Sequence, residues 1–346
     1  MNLAWQQRLT QFGATFEDQR VLQFGDSTAE IKAAASGTVL ADLSHFGLIG
    51  FSGEDTQAFL QGQLTNDVRQ VNATQSQYSS YCTPKGRMLA SFLVWQNADS
   101  YFIQLPVELQ ANIQKRLAMF VMRAKVKVHD ASEEFIRFGL AGDEAEALLR
   151  DHLQTLPGAA QEVVHLEHAS IIRLPGNRFE IIAHPQHAAA LWDALSKAAT
   201  PVGAGVWEWL DIQAGVPVIS LATQDQFVPQ MVNYEVIGGV SFTKGCYPGQ
   251  EIVARTQYLG RLKRRMYLAN LQTDTPPAAG DVLYGTDMEG QATGMVVNAQ
   301  PAPDGGFNLL AVIQISSAES SEIHWKTLDG PPLQLKPLPY SLPPAQ

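Results

Sequence analysis

The feature that most constrains the fold is a repeat. Gly50-Phe51-Ser52-Gly53-Glu54-Asp55-Thr56-Gln57-Ala58-Phe59-Leu60-Gln61-Gly62-Gln63-Leu64 lies over Gly139-Leu140-Ala141-Gly142-Asp143-Glu144-Ala145-Glu146-Ala147-Leu148-Leu149-Arg150-Asp151-His152-Leu153 without a gap. Both glycines, Ala58, Leu60 and Leu64 recur in register, with apolar and acidic positions matched between them. Each copy reads as an apolar strand, a Gly-acidic turn and a helix. Acidic residues at the helix start favour the positive end of its dipole. The similar run of strands and a helix after each copy makes duplication the reading.

After the first copy come strand-like segments at 78–83, 88–95 and 101–105, then Leu109, Ile113, Leu117 and Phe120 on one helical face. A strand at 125–129 closes the unit, with Val126 and Val128 alternating. After the second copy come strands at 170–174 and 178–183, turned at Pro175-Gly176-Asn177, and a helix with Leu191, Leu195 and Ala198 on one face. Both halves read β-α-β-β-α-β, the split ferredoxin-like order. Short helices are expected at 3–12 and 28–35, and another at 207–214 leading into Gly215 and Pro217. From about residue 265, short apolar runs at 266–271, 282–284, 293–297, 307–315 and 322–327 alternate with Pro- and Gly-rich turns. That spacing argues a small β-barrel or sandwich. The Pro-rich run 337–344 is expected to form an extended strap. The predicted class is α+β, with two duplicated ferredoxin-like subdomains and a C-terminal β-barrel. The expected divisions are 1–130, 131–205, a returning segment 206–260, and 261–346.

With 346 residues, 45% of them hydrophobic, the chain has room for two or three soluble domains. No apolar run approaches the ~20 residues of a membrane helix, and no membrane partner is expected. The start, Met1-Asn2-Leu3-Ala4-Trp5-Gln6-Gln7-Arg8, lacks the basic-then-apolar pattern of a signal peptide. A net charge of -10 argues against nonspecific nucleic-acid binding by the whole surface, while leaving a local basic patch open. The two cysteines, Cys82 and Cys246, build neither a disulfide framework nor a four-cysteine metal site, so a reducing cytoplasm is expected.

One stretch concentrates the chemistry: Ser241-Phe242-Thr243-Lys244-Gly245-Cys246-Tyr247-Pro248-Gly249-Gln250-Glu251-Ile252-Val253-Ala254-Arg255. Gly245, Pro248 and Gly249 bend the backbone into one shape. A thiol becomes reactive when cations or a helix N-terminus lower its pKa, and Lys244 stands two residues from Cys246. If 249–256 is helical, Glu251 and Arg255 pair at i,i+4 and Cys246 precedes the positive helix end. If it is a strand, that argument fails, and periodicity does not decide. The plain alternative is a strand-to-helix connection with a buried cysteine. Cys82, beside Thr83-Pro84-Lys85-Gly86-Arg87, reads as a buried hairpin cysteine, and Asn66 as a helix C-cap. His165/His168 and His184/His187 share His-x-x-His spacing but lie beside strand-like segments, so no metal site is assigned. Phosphate-loop, dinucleotide-binding and nucleophile-elbow motifs are all missing. Arg261 and Lys263-Arg264-Arg265 form a basic cluster, read as a solvated linker or as a contact for a partner or RNA phosphate.

Lys244-Gly245-Cys246-Tyr247-Pro248-Gly249-Gln250-Glu251, with Arg255 four positions further on, resembles the signature of the YgfZ family. These are folate-binding relatives of the glycine-cleavage T-protein that support iron–sulfur enzymes. Gly62-Gln63-Leu64-Thr65-Asn66-Asp67-Val68, Lys85-Gly86-Arg87-Met88, Leu210-Asp211-Ile212-Gln213-Ala214-Gly215-Val216-Pro217 and Phe227-Val228-Pro229-Gln230 resemble further family motifs in the same order, as does Pro337-Leu338-Pro339-Tyr340-Ser341-Leu342. The resemblance implies a T-protein-like cloverleaf around a site for tetrahydrofolate or a one-carbon derivative. It implies Cys246 and Lys244 as the chemically active residues, with Gln213, Tyr247, Gln250, Glu251, Arg255, Asn66 and Arg87 at the folate site. The partners implied are folate and iron–sulfur enzymes or assembly proteins, including tRNA-modifying ones, with RNA reached only indirectly. Two departures matter. The hairpin that carries a catalytic Asp in the T-protein enzymes reads Met88-Leu89-Ala90-Ser91-Phe92 here, without an acid. The Glu of the family's Glu-Ala-Gly segment is Gln213, which hydrogen-bonds but supplies no charge. Three readings stand: a folate-dependent factor assisting iron–sulfur enzymes, a folate-dependent aminomethyl- or methyltransferase, and a non-catalytic folate-binding scaffold.

Overall fold

The computed structural model describes residues 1–288 and 290–343. In chain order the elements begin with α1 (Leu3–Gln11), β1 (Thr15–Glu17), β2 (Arg20–Gln23), α2 (Ser27–Ser36), β3 (Val39–Asp42), β4 (Phe46–Ser52) and α3 (Thr56–Gln61). The first copy continues with β5 (Gln77–Cys82), β6 (Met88–Asn97), β7 (Ser100–Pro106), α4 (Val107–Met119) and β8 (Lys127–Asp130). The second comprises β9 (Ile136–Ala141), α5 (Ala145–His152), β10 (Val163–His165), β11 (Ala169–Leu174), β12 (Arg178–Ala183), α6 (Pro185–Leu195) and β13 (Thr200–Val202). Then come α7 (Ala204–Gln213), α8 (Gln250–Tyr258), β14 (Arg264–Leu271), β15 (Val282–Gly285), β16 (Ala292–Pro301), β17 (Phe307–Gln314), α9 (Ile315–Ser320), β18 (Ile323–Trp325) and β19 (Leu333–Lys336).

The α+β class and the duplication are both present. Each copy carries three strands between its helices where the β-α-β-β-α-β reading allows two. The extra strand of the second copy, β10, spans three residues, too few to show a period. The sheets run β5-β6-β7-β4-β8 and β10-β11-β12-β9-β3-β13. The central order is shared, but β8 lies beside β4 whereas β3 takes that place beside β9. The closing strand β13 is displaced outward and pairs with β3 in parallel.

The chain divides into two compact units that interleave along the sequence. The first comprises Met1–Phe59, Arg69–Gln77 and Leu93–Leu210. The second comprises Leu60–Val68, Tyr78–Phe92 and Asp211–Gln346, so β6 changes unit midway. In the first unit the core on the second copy's sheet is built from Trp5, Phe138, Phe179 and Trp192. Trp5 and Phe138 both meet Trp192 edge-on, at 5.3 and 5.6 Å. In the second unit β18-β15-β16-β17-β14-β19 forms a curled antiparallel sheet over Leu271, Leu283, Leu309, Ile313 and Trp325. Bulges in β15 and β16 bend it, and a bridge between His324 and Pro332 links the ends of the strand order. This is the barrel-like tail read from the turn spacing. The strap is pinned by Tyr340, whose hydroxyl donates to Gly215 O at 2.8 Å; its last residue, Pro344, lies outside the described residues. No helix among the described residues is long and apolar enough to cross a membrane.

Candidate functional site: a cysteine turn locked by lysine and glycine

The site is assembled within the second unit from segments far apart in sequence. The C-terminal carbonyls of a helix have no partner within it. At the end of α3 the last of them, Gln61 O, and two carbonyls of the turn that follows are met by Lys244. Its ammonium has three protons. It donates to Gln61 O at 2.6 Å, Leu64 O at 2.5 Å and Asn66 O at 3.0 Å. The Lys244 residue is buried, and its Nζ sits 5.0 Å from the centre of the Tyr247 ring. Burial raises the Tyr247 hydroxyl well above the ordinary phenol range, so it stays protonated. These residues anchor the turn from beneath, and Cys246 between them is exposed.

A second lock is steric. Gly249 adopts φ +84°, and a Cβ there would stand 2.4 Å from Thr83 O and 2.6 Å from Gly86 Cα. Gly86 itself adopts φ +71°, at the turn joining β5 to β6. The two Lys-Gly turns of the sequence thus meet backbone to backbone, at a place where only glycine fits. Immediately after Gly249 the chain enters α8, which decides the helix-or-strand alternative in favour of helix. Gln250 Nε2 reaches back to Lys244 O at 3.4 Å.

The expected Glu251–Arg255 pair does not form among the described residues; both side chains are exposed on α8. Lys244, expected beside the thiol as a cation, has its ammonium among the carbonyls of the α3 end. Asn66 is no helix cap, since α3 ends five residues earlier. It is buried, and its amide protons go to Tyr78 O at 2.9 Å and Gly238 O at 2.7 Å. Arg87 donates to Gln226 O, and Gln213 donates to Asn308 Oδ1 at 3.2 Å on β17. The geometry therefore gathers Lys244, Tyr247, Gln250 and the Asn66 backbone, and brings the Arg87 turn against Gly249. Gln213 is held by a different contact. Cys82 is buried in β5, where burial pushes its thiol up to about 12. The buried alternative for Cys246 does not hold; it describes Cys82 instead. On β6, Ser91 Oγ donates to Pro217 O and accepts from Ile219 N, so the hydroxyl is engaged with backbone inside the protein.

Sequence reasoning missed the loop around 233–241. Asn233, at φ +56°, donates to Met266 O, and Tyr234 OH donates to Ser79 O. Thr65 Oγ1 donates to Gly239 O. The signal available was polar residues set among apolar ones in Val232-Asn233-Tyr234-Glu235. In the first unit, Asp42 and His45 were missed for the same reason. Trp5 Nε1 donates to Asp42 Oδ1 at 2.7 Å. Burial holds the His45 imidazole down to about 4. Of the histidine pairs, His165 meets Ser170 Oγ at 2.7 Å, while the His168 and His187 rings stack at 3.6 Å.

Duplicated α+β halves, a curled β tail and a glycine-locked cysteine turn define a T-protein-like architecture. The family model described as the GCVT N-terminal domain matches residues 4–237. The chain is 33% identical over 308 residues to "tRNA-modifying protein YgfZ" of Sodalis glossinidius (strain morsitans), covering 88% of this chain and 93% of that one. The protein of the same name from Klebsiella pneumoniae (strain 342) is 33% identical over 307 residues, with the same coverage. Among solved structures, glycine cleavage system aminomethyltransferase T from Bartonella henselae superposes with a TM-score of 0.81. It covers 98% of this chain and 97% of that one at 21% identity, a likeness of fold. The chain belongs to the YgfZ family, within the proteins that carry the GCVT domain.

Proposed function

We propose that this protein binds tetrahydrofolate or a one-carbon derivative and assists the assembly or maintenance of iron–sulfur enzymes, including tRNA-modifying ones. The observation that carries the reading is the cysteine turn. Cys246 is held exposed while the residues that fix it, Lys244 and Tyr247, are buried. A chain that needed only a stable turn has no reason to lock a thiol on its surface.

The residues present fit a folate in part. Exposed Glu251 and Arg255, with half-buried Gln250 and Gln213, can offer donors and acceptors to a pterin edge and a glutamate tail. Asn66 has both amide protons committed inside the protein, so it supports the site rather than contacting a ligand through them. Folate, when bound, supplies a one-carbon carrier; the chain's own residues bind it, orient it and present the thiol. Aminomethyl transfer is the weaker reading, because residues 86–95 contain no carboxylate to direct proton movement at a folate nitrogen.

Two measurements test this. Titration with tetrahydrofolate, read by intrinsic tryptophan fluorescence, should saturate; a flat titration ends the folate reading. In a strain lacking the protein, Cys246→Ala should leave folate binding intact yet fail to restore iron–sulfur enzyme activity. Full restoration would leave the scaffold reading in its place. Product formed from a loaded folate would favour the transferase.

A further inference from the structure

The chain carries a net charge of -10, yet residues 252–273 contain no Asp or Glu and five of its 24 Lys and Arg. One of the five, Arg265, is drawn inward by an ion pair with Glu235. The other four, Arg255, Arg261, Lys263 and Arg264, are exposed, and none is ion-paired among the described residues. Four cations within ten residues, none held in an ion pair among the described residues, favour a polyanion. Two apolar side chains stand in the same stretch: Tyr258 is 64% and Leu259 86% exposed. The Tyr258 ring meets Phe242 edge-on at 6.0 Å, so the surface continues into the segment that carries Cys246.

The inner side of this stretch lines a cleft of about 310 Å³, at the small end of the range for small-molecule sites. Leu262, Ile315 and the Tyr267 ring give it apolar walls, and Gln257 and Glu319 offer hydrogen-bond acceptors. Apolar walls with a few acceptors suit a flat heterocycle and its sugar. Cations beside them suit the phosphates on either side.

We propose that residues 255–267 dock single-stranded RNA, with phosphates on Arg255, Arg261, Lys263 and Arg264, and one unstacked base with its ribose in the cleft. Single strands leave bases free to enter a cleft and to stack on an exposed ring such as Tyr258. The acceptors select ribose, because its 2′-hydroxyl donates and deoxyribose has none to donate. An acidic protein would meet the cations but leave the cleft without a matching occupant. The proposal goes beyond the folate reading and needs no folate to be tested.

The test is fluorescence anisotropy of a short labelled single-stranded RNA with the full chain, repeated at salt between about 50 and 200 mM. Four phosphate contacts on a single strand should give a log–log salt slope of roughly -3. Replacing Arg261, Lys263 and Arg264 together by Ala should weaken binding at least about tenfold and cut the slope to about -0.7. These side chains are exposed, so the fold should survive, as circular dichroism would check. Gln257→Ala should lower the preference for RNA over the same-sequence DNA without changing the slope. No salt-dependent binding by the wild type, or an unchanged triple variant, overturns the proposal. Equal binding of DNA overturns the ribose assignment. Competition by polyglutamate matching that by RNA would mark a protein-docking surface instead and overturn it as well.

Discussion

Each copy has a glycine hairpin turn with a left-handed backbone, at neighbouring but not equivalent places in the strand order, β5–β6 in the first and β11–β12 in the second, and the chain has used the two differently. Gly176, between β11 and β12, has φ +81°, and a Cβ there would approach only Arg178 Nε, at 4.0 Å. Gly86, between β5 and β6, has a similar φ, but a Cβ there would come within 3.2 Å of Gly249 O and 3.0 Å of Ile252 Cβ. Both glycines satisfy a local backbone need. Only Gly86 also satisfies a tertiary one. The helix ends show the same addition to a shared frame: Leu64 N returns to Leu60 O and Leu153 N to Leu149 O, and on the first of these ends Lys244 also donates to Gln61 O and Leu64 O. Duplication supplied two equivalent frames, and one of them was fitted to the cysteine turn.

Substitutions can break this contrast. The largest effect is expected from Gly249→Ala, which combines a left-handed backbone with a clash against Thr83 and Gly86, at a cost of about 4 kcal/mol. Urea unfolding would show it, and a loss below about 1 kcal/mol would mean the turns are not locked. Lys244→Met should cost about 3 kcal/mol, since three carbonyls lose their donor. That variant should also make Cys246 more mobile, read by the order parameter of its amide.

A pH effect comes next, at positions five residues before each overlaid segment. His45 is buried where Glu134 of the second copy is exposed. Its imidazole, held to about 4, stays neutral in the fold, while the unfolded chain takes up a proton below about 6.5. Stability from this group is therefore full above pH 6.5 and lost as pH falls toward 4. The loss amounts to about 2 kcal/mol by pH 5. Asp42, whose carboxyl burial raises, acts in the opposite sense, so the measurement is the difference from His45→Leu. A variant with the wild-type slope would remove His45 from the account.

Gly176→Ala should cost only about 1 kcal/mol, from backbone strain alone. A cost equal to that of Gly249→Ala would erase the contrast between the two turns. Cys246→Ala, at an exposed site, should change stability by no more than about 0.5 kcal/mol. A thiol reagent should modify Cys246 in the native protein and reach Cys82 only after unfolding; rapid native reaction of both would contradict the buried position of Cys82.

Much of the fold was legible because periodicity and turn chemistry are local. The repeated Gly50 and Gly139 segments, the Pro-Gly spacing after residue 265 and the helix at Leu109, Ile113 and Leu117 stand in the structure as read, while Phe120, read onto the same helical face, is an exposed residue just past the helix end. The place of β3 beside β9 was not legible, because four buried residues carry no sign of which strand they join. At the site, the motif residues identified the turn but not its mechanics. Lys244 looked like a neighbour for the thiol because the two are close in sequence. Its real partners lie near residue 64, and nothing local predicts a contact across that separation. The Glu251–Arg255 spacing was right for a helix, and α8 is a helix, yet both side chains remain exposed. Helical spacing permits an ion pair without compelling it.

The interleaving of the two units governs how the molecule comes into being. Lys244 closes onto carbonyls about 180 residues upstream, and Leu60–Val68 belongs to a unit whose largest part begins at Asp211. During synthesis the end of α3 emerges long before the ammonium that completes it, and must stay hydrated until then. Neither unit is one continuous segment, and each is interrupted by pieces of the other. Contacts this distant make for slow folding. A nascent chain stopped short of residue 244 would carry the cradle without its latch, and the thiol would reach the surface only in a molecule already nearly finished.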